Sequence, residues 1–443
     1  MPEWLTALHK QYGEVVRIHP DEVSFIGSSA WKDIYNSHPA FPKPEFGTAP
    51  SPNGVKPMMT TNTEDHDRQR RIFSHAFSTT ALKEQEVLVT HYADLMVDRL
   101  RERVANGEDT FDVMRWYQYA TFDIIGDLCF GEPFYCLEKG ENHPWIATIY
   151  KNIKSAKIVG TSQCFPPMET LMRVTMPASI KAKMRNTFAW SQNMTTKRME
   201  LKTDRADIMT HVLNNNHKQG MSRDEIDSTM ATLVLAGSGD TTAVSIAATT
   251  YYALKNPHVM KKVVSEIREG LGDDPKNCTN AAISKLPFLH ATMQEAMRMH
   301  PPVPLSSPRL IDRPGAHICG VPFPPGYRAS VAAKTGYLHP SKWTDSDTFL
   351  PERWFSDAPS RYAVDDREFL QPFNVGNRNC LGKNLAWAEM NLIFAKTVLA
   401  FDMEWSERNK EVGEWTDQKT FLLNEKKALY VKLIPRSGLQ EKR

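Results

Sequence analysis

The amino-acid sequence predicts a mainly α-helical protein with small β-sheets. Helical periodicity dominates from about residue 65 onward, and two helical stretches, 222–256 and 287–300, carry clear start and stop signals. Strand-like runs are short and occur mainly near residues 14–26 and 315–333. Long helices with a few short strands are typical of an α-rich core that has small sheets at its edge.

The first sixty residues combine a short helix with two strand-like runs. The opening stretch, MPEWLTALHKQYG, has the pattern of an amphipathic helix, and the strand-like runs EVVRI and EVSFI follow it. The next stretch, PKPEFGTAPSPNG, is rich in proline and glycine and predicts a loop.

The longest predicted helix runs from Ser222 to Asn256. A capping box, Ser222 with Glu225 three residues later, marks its start, and Pro257 follows its end. We expect one continuous helix, which at 1.5 Å per residue would span roughly 50 Å and cross a whole domain.

The C-terminal half begins with a second well-marked helix, which starts at Pro287 and stops before Pro301. Short strands joined by a Pro-Gly turn are predicted in GAHICGVPFPPGYRASVAA. A loop-rich passage follows, and a last long helix is predicted directly after Cys380.

The overall composition describes a folded, enzyme-sized protein, and we expect residues 1–443 to form a single domain. There are 54 Lys and Arg against 52 Asp and Glu, and the net charge of +2 does not favour a nucleic-acid partner. The six cysteines are scattered without CxxC pairs, which argues against a zinc cluster or a disulfide scaffold. No long apolar run or signal peptide is present, so we expect the chain as given to be soluble.

One cysteine, Cys380, lies in a glycine-rich loop, QPFNVGNRNCLGKNLAWAEM, just ahead of a helical stretch. Gly376 and Gly382 flank it and let the backbone approach a flat ligand closely. A cysteine at a helix N-terminus gains from exposed amides and the helix dipole, which lower its thiol pKa. The alternative is a buried structural cysteine, which is the usual role of a free cysteine and our interpretation of the other five.

This loop resembles the haem-binding signature of the cytochrome P450 family, Phe-x-x-Gly-x-Arg-x-Cys-x-Gly. Its five fixed positions are matched by Phe373, Gly376, Arg378, Cys380 and Gly382. The resemblance implies the fold of that family, in which a long central helix crosses the haem and the loop cysteine, here Cys380, binds the iron. A thiolate ligand pushes electron density toward bound oxygen and favours O–O cleavage.

The middle of the long predicted helix carries the sequence GSGDTT, from Gly237 to Thr242. Interior glycines cost about 1 kcal/mol each relative to alanine, and close packing or a kink would account for them. The segment also resembles the family's oxygen-activation motif, in which Asp240 and Thr241 align with the acid and alcohol that relay protons. Ser238 stands where the family usually has glycine, which implies a differently shaped groove.

Two further groups resemble structural parts of the family. Glu295 and Arg298 lie three residues apart on one helical face, where a simple surface ion pair is the commoner arrangement. With Arg353 in FLPERW, they resemble the Glu-Arg-Arg network that braces the haem loop, and we expect a structural role for all three.

The haem carboxylates have their own expected partners. His66 and Arg70, four apart on one helical face, resemble the family's haem-propionate helix, and Arg309 and Arg378 resemble its other propionate partners. Arginine suits carboxylates because its donors form a fixed fork. Arg68 and Arg71, with Lys383 near the haem loop, are expected to face a reductase instead.

The resemblance covers nearly the whole chain and is closest in character to ascomycete secondary-metabolite enzymes. It implies a haem b monooxygenase that uses O2 and electrons from an NADPH-dependent reductase to oxidise an apolar small molecule, such as a terpenoid, polyketide or alkaloid. The outcome is hydroxylation, or desaturation, cyclisation or coupling. The expected pocket includes Gly237, Ser238, Val303, Leu305, Phe421 and Leu422.

Such enzymes normally begin with a membrane-spanning helix, which is missing from this sequence. We therefore expect a monomer that lacks its N-terminal anchor and whose full-length form would lie on the cytosolic face of the endoplasmic reticulum. Two alternatives stay open: a haem-thiolate isomerase that rearranges peroxides without a reductase, and a haem-binding sensor without turnover. Asp240 and Thr241 argue against both, because neither alternative needs a proton relay.

Overall fold

The computed structural model describes residues 2–45, 51–148, 161–162, 165–201, 203–216, 220–420 and 423–436. Within these ranges the regular structure is chiefly helical with small sheets, which confirms the predicted fold class. The helices that bear on the argument are α1 (Pro2–Tyr12), α2 (Ala30–Tyr35), α3 (Thr63–Ser74), α4 (Thr79–Ala105), α5 (Val113–Phe130), α6 (Cys136–Lys139), α7 (Pro166–Thr175), α8 (Ala178–Glu200), α9 (Ile208–Asn215), α10 (Arg223–Ala236), α11 (Ser238–Lys255), α12 (Pro257–Leu271), α13 (Asn280–Ile283), α14 (Pro287–Met299), α15 (Ala333–Tyr337), α16 (Lys383–Ala400) and α17 (Asn409–Val412).

The described strands form three small sheets. The first has the order β1-β2-β7-β4, in which β2 and β7 are parallel and the other neighbours are antiparallel. The second has the antiparallel order β3-β9-β8, and the third pairs β5 with β6. The strands are β1 (Val15–His19), β2 (Glu22–Phe25), β3 (Thr110–Asp112), β4 (Arg309–Leu310), β5 (Ala316–Ile318), β6 (Val321–Phe323), β7 (Arg328–Val331), β8 (Phe401–Trp405) and β9 (Tyr430–Pro435).

Two hydrophobic cores correspond to the helices and to the first sheet. The larger core is built mainly from α4, α5, α11, α14 and α16, and the smaller one from β2, β7, α2 and neighbouring segments. Helix α5 is buried along almost its whole length, and α11 packs against it. Tyr117 of α5 and Thr250 of α11 share a buried hydrogen bond of 3.0 Å. Helix α11 is therefore held firmly against α5.

The predicted helix from Ser222 to Asn256 forms, but it is interrupted. The capping box of Ser222 and Glu225 is present at its start, and Asn256 ends it. At Gly237 the backbone turns out of the helix, with φ −72° and ψ −131°, so α10 and α11 are separate helices. The prediction of one continuous helix is wrong at this residue. A side chain there would bring a Cβ within 2.3 Å of the Leu233 carbonyl oxygen, so glycine is required.

Other predicted elements are confirmed. Helix α14 starts at Pro287 and ends at Met299, and α16 starts three residues after Cys380. Among the described helices, none has the length and apolar character that crossing a lipid bilayer requires. The five cysteines within the described ranges are all free thiols, as expected from their scattered spacing.

Candidate functional site

The cysteine loop is a tight turn fixed against the first sheet's core. Within it, the Cys380 amide donates to the Phe373 carbonyl at 2.8 Å, and the Asn379 amide donates to the Gly376 carbonyl at 3.2 Å. Gly376 has φ +78°, and a Cβ there would lie 1.9 Å from the carbonyl oxygen of Tyr35 at the end of α2. The loop can pack this closely only because residue 376 is glycine.

Cys380 has solvent-accessible surface, although protein atoms surround its sulfur closely enough to desolvate it. Burial raises the pKa of its thiol, while the Gly382 amide and the charges of Arg70 and Lys383 act to lower it. The sequence predicted a lowered thiol pKa from the helix N-terminus, and that prediction is wrong for the protein by itself because desolvation is the larger effect. The contribution from the Gly382 amide has the predicted sign.

Four of the predicted cofactor residues form one cationic cluster beside the cysteine loop. Arg70 donates to the Asn379 carbonyl at 2.8 Å and to the Asn379 side chain, so it holds the loop next to Cys380. Arg378 donates to the Thr61 carbonyl at 3.1 Å. Its pKa is lowered to about 10 by burial and by the nearby charges of Arg309 and Arg70.

Arg309 and Lys43 complete the positive charge of this cluster. Arg309 is buried on β4, with its guanidinium 5.5 Å from the ring centre of Tyr35. Lys43 donates to the Met59 carbonyl at 2.7 Å, and its pKa is lowered to about 7 by burial and by the charges of Arg309 and Arg378. The sequence did not indicate Lys43, which lies in a proline-rich loop where a lysine is usually solvated.

His66 is the neutral member of the cluster. It is buried, and its Nδ1 lies 2.7 Å from a carboxylate oxygen of Asp67. Burial and the charge of Arg378 lower its pKa to about 4. The imidazole is therefore uncharged near neutral pH, so its Nδ1 donates to the Asp67 carboxylate and its Nε2 is left as an acceptor.

The donors of this cluster fit a ligand that carries carboxylates next to a metal-binding thiol. Nη1 of Arg309 and Nη1 of Arg378 are buried and have no hydrogen-bond partner among the residues that the structure describes. Unmet buried donors on mutually repelling guanidinium groups are costly, and an anionic ligand would satisfy both. The residues therefore fit the propionates and iron of a haem.

Glu295, Arg298 and Arg353 meet as the sequence predicted. Both Arg298 and Arg353 donate to the Glu295 carboxylate at 2.8–3.0 Å, and all three side chains are fully buried. The amide of Leu350 and the indole of Trp354 donate to the same carboxylate at 3.0 and 2.9 Å. This is a closed buried network and not the surface ion pair that an ExxR spacing more often forms.

Asp365 extends this network, because it accepts a hydrogen bond from Arg353. The sequence did not indicate it, since it lies in the charged run VDDRE, which usually marks a solvated segment. Arg68 was expected to face a reductase, but it binds Glu225 and Asp65 instead. That expectation is wrong for Arg68, while Arg71 and Lys383 are exposed.

The acid and the threonine of the GSGDTT segment lie just after the helix break. The Thr241 hydroxyl donates to the Gly237 carbonyl at 3.1 Å, within the first turn of α11. Asp240 is buried, accepts a hydrogen bond from Gln118 of α5 at 3.1 Å and forms an ion pair with Lys426. Burial lowers the pKa of Lys426 well below its ordinary value.

A small cleft contains this acid and threonine. It is lined by Asp240, Thr241, Val244, Pro302, Leu423, Asn424 and Lys426. Of the predicted pocket residues, Val303 is exposed and Leu305 packs against the smaller core. Gly237 forms the break, and Ser238 begins α11. Phe421 and Leu422 lie outside the described residues, although Leu423 beside them lines the cleft.

Gln118 and Lys426 were not indicated by the sequence. Lys426 belongs to NEKK, a charged run that normally marks a solvated face. Gln118 lies within the buried helix α5, and a polar residue in such an apolar stretch is a signal that could have been followed. Neither the polar Gln118 nor the charged run around Lys426 indicates Asp240 as the partner, because Asp240 is far from both along the chain.

Comparison with known proteins gives a consistent result. The family model described as Cytochrome P450 matches residues 1–431. The cytochrome P450 monooxygenase astJ of Aspergillus oryzae is 38% identical over 99% of this chain and 87% of its own length.

Two other relatives have similar coverage. The cytochrome P450 monooxygenase atr2 of Stereocaulon alpinum is 36% identical over 96% of this chain and 84% of its own length. The averantin hydroxylase of Dothistroma septosporum is 36% identical over 97% of this chain and 81% of its own length.

Proposed function

This chain belongs to the cytochrome P450 family, and we propose that it is a haem-thiolate monooxygenase in which Cys380 is the sulfur ligand of the iron. The observation that carries the proposal is the Cys380 loop, packed on α2 through Gly376 and bordered by cations with unmet donors. The family implies a haem cofactor, and we take it to be haem b. When bound, the haem activates dioxygen so that one oxygen atom enters the substrate and the other becomes water.

The chain's residues would hold the haem from two sides. Arg309 and Arg378 supply the unmet donors for its propionates, and neutral His66 and Lys43 border the same cluster. Arg70 acts on the protein side, because it holds Asn379 and with it the cysteine loop. Phe373 accepts the Cys380 amide hydrogen bond, and Gly382 precedes the first residue of α16.

The proton path would use Asp240 and Thr241. Thr241 carries a hydroxyl proton that is donated to the Gly237 carbonyl and can be redirected without breaking a helical backbone bond. Asp240 is the adjacent carboxylate through which a proton can be replaced. The Glu295, Arg298 and Arg353 network is structural, since all three side chains are fully buried and bonded to one another.

The substrate would be an apolar small molecule of fungal secondary metabolism. The support is the averantin hydroxylase relative, whose name states a hydroxylation, together with an apolar lining at Val244, Pro302 and Leu423. Hydroxylation is the default reaction, and desaturation, cyclisation or coupling follow from the same chemistry. Residues 1–443 would act as one domain and a monomer, with an NADPH-dependent reductase as electron donor at the cytosolic face of the endoplasmic reticulum.

An absorption spectrum tests the central claim. We expect the reduced, carbon-monoxide-bound protein to show the thiolate-type band, and we expect Cys380→Ser to abolish it because a hydroxyl is not a thiolate ligand. Cys319→Ser is the matched control, since Cys319 contacts Asp33 at the smaller core. The proposal fails if the band survives in Cys380→Ser or disappears in Cys319→Ser alone.

A second measurement addresses the substrate. Candidate polyketides, terpenoids and alkaloids, with averantin among them, are screened for a change in the spin state of the haem. A binder is then incubated with NADPH and a fungal reductase, and we expect an oxygenated or dehydrogenated product. Product from an organic peroxide with none from NADPH and reductase would favour the isomerase alternative.

A further inference from the structure

We propose that Lys426 is a positioning residue for Asp240: it fixes the carboxylate and joins it to the C-terminal segment that contains Leu423 and Asn424. The inference rests on the proposed function, because it assigns a partner to the acid of the proton path. It adds a residue from the C-terminal segment to a site whose other parts lie on α11 and in the cysteine loop.

The contact itself is buried and specific. Lys426 forms an ion pair with Asp240 Oδ1, and Gln118 of α5 donates to the same oxygen at 3.1 Å. Asp240 is 4% exposed and the Lys426 side chain 15% exposed. A charge pair so far from solvent is stable only while its two partners stay in contact. Removing one partner leaves an uncompensated buried charge.

The segment that carries Lys426, residues 423–426, is anchored independently of Asp240. Thr420 and Asn424 form an isolated antiparallel bridge, and the Thr420 hydroxyl donates to Asn424 Oδ1 at 2.8 Å. The Asn424 amide reaches the Pro301 carbonyl at 3.3 Å, just after α14. The contacts of Asn424 therefore fix this segment, and the ion pair of Lys426 fixes the Asp240 carboxylate relative to it.

This arrangement links substrate contact to the proton path. Leu423 and Lys426 line the same cleft as Asp240 and Thr241. A molecule that displaces the segment 423–426 therefore also displaces the Lys426 ammonium group from Asp240. With Lys426 and Gln118 in place the carboxylate is held in one orientation. Loss of Lys426 removes one of these two contacts and allows the carboxylate to rotate.

A thermal double-mutant cycle tests the contact in the holoprotein. The variants are Lys426→Met, Asp240→Asn and the combination of both, and Lys427→Met is the matched control because Lys427 binds the Glu414 carbonyl instead. We expect Lys426→Met to lower Tm by several degrees, the double variant to recover part of that loss, and Lys427→Met to resemble the unmodified protein. Additive losses in the double variant would overturn the contact.

The fate of dioxygen tests the functional role, with dioxygen itself as the probe. Reduction of dioxygen to hydrogen peroxide takes two electrons and two protons, and reduction to two waters takes four of each, with NADPH as the reductant. We measure hydrogen peroxide formed against NADPH consumed, with a fungal reductase and below the lowest Tm. We expect Lys426→Met to lower the ratio of water to hydrogen peroxide by roughly ten-fold, because proton transfer depends on a positioned acid.

The product ratios of the variants distinguish a positioning role of Lys426 from a purely structural role. Lys426→Arg should restore the product ratio, since it keeps the charge, and the double variant should match Asp240→Asn. A Lys426→Met protein that is less stable but keeps the original ratio would refute the positioning role. If the unmodified protein binds haem through Cys380 yet consumes no NADPH, the proposed function fails, while the thermal cycle still decides whether the ion pair exists.

Discussion

Gly376 is the residue on which the position of Cys380 depends most directly. It combines a positive φ of +78° with the close approach of the Tyr35 carbonyl oxygen, 1.9 Å from where a Cβ would lie. The family signature names a glycine at this position but does not say what it contacts. The structure supplies the reason, which is the packing of the loop against the end of α2.

We expect Gly376→Ala to destabilise the protein by about 3 kcal/mol and to reduce haem retention, because the methyl group forces the loop away from α2. The measurement is haem content per protein together with Tm. Since the loop holds Cys380, Gly376→Ala should lose more haem than a variant that is equally destabilised by a substitution outside the loop.

Gly413→Ala is the matched control for backbone strain. Gly413 has φ +74°, close to that of Gly376, but nothing lies within 4 Å of its hypothetical Cβ. We expect it to cost about 1–2 kcal/mol from the left-handed backbone alone and to keep its haem. Equal haem loss in both variants would contradict the steric explanation.

The Glu295 carboxylate joins helix α14 to the segment that contains Leu350, Arg353 and Trp354. Each of these residues donates to it, and Arg298 donates from the next turn of the same helix. With no exposed surface on Glu295, the carboxylate has exchanged water for these donors. The Glu295 carboxylate therefore fixes the two elements relative to each other, together with Arg298, which also donates to the Ser346 and Thr348 carbonyls.

We predict that Glu295→Ala yields apoprotein or aggregate, because the buried Arg298 guanidinium would lose its counter-charge at a cost of about 3–5 kcal/mol. Arg353 would keep only its ion pair with Asp365. Soluble yield and haem content are the measurements. Glu352→Ala is the control, since the partly exposed Glu352 pairs only loosely with Lys262 at 3.5 Å and should stay within about 0.5 kcal/mol. A soluble Glu295→Ala protein with full haem content would refute the prediction.

Helix boundaries could be predicted from the sequence where a local signal exists. Ser222 with Glu225 and the proline at 287 each mark a helix start by chemistry within one turn, and the structure has both. The break at Gly237 has no such signal, because glycine permits the turn without requiring it. What requires it is the packing of α10 and α11 along α5, which involves residues far away in the sequence.

Across the whole molecule, the same distinction decides which parts of the site could be predicted. The loop residues around Cys380 follow a fixed spacing and were found from the sequence. The Lys426 partner of Asp240 and the Asn379 partner of Arg70 depend on long-range folding, so no spacing rule reveals them. Lys426 lies in a charged run whose ordinary interpretation is a solvated surface.

The folded protein also holds a set of histidines that resist protonation. Burial is the main cause that lowers the pKa of each, and for His66 and His300 it falls to about 4 from an ordinary 6.5. An opposing group is Asp123, whose pKa burial raises to about 6. The histidines are His9, His66, His143, His290, His300 and His339.

These shifts predict a protein that loses stability in mild acid. As the pH falls through 6.5 the unfolded chain binds protons at these histidines, whereas folded His300 resists protonation down to about 4. The free energy of unfolding therefore falls across this window. Asp98, Asp112 and Asp123, whose pKa burial raises, offset only part of the loss because they are three groups against six. Above pH 6.5 the histidine contribution to stability is fully present.

Urea unfolding of the holoprotein between pH 4.5 and pH 8 measures this dependence. We expect the slope of the free energy of unfolding against pH to correspond to about one proton for each histidine whose pKa is shifted. We expect His300→Gln to flatten the slope below pH 6.5, because it removes one buried imidazole that lies 4.9 Å from the Trp415 ring. His317→Gln is the control, since His317 is exposed on β5. An equal slope in His300→Gln and the unmodified protein would show that His300 is protonated in the native state at the same pH as in the unfolded chain.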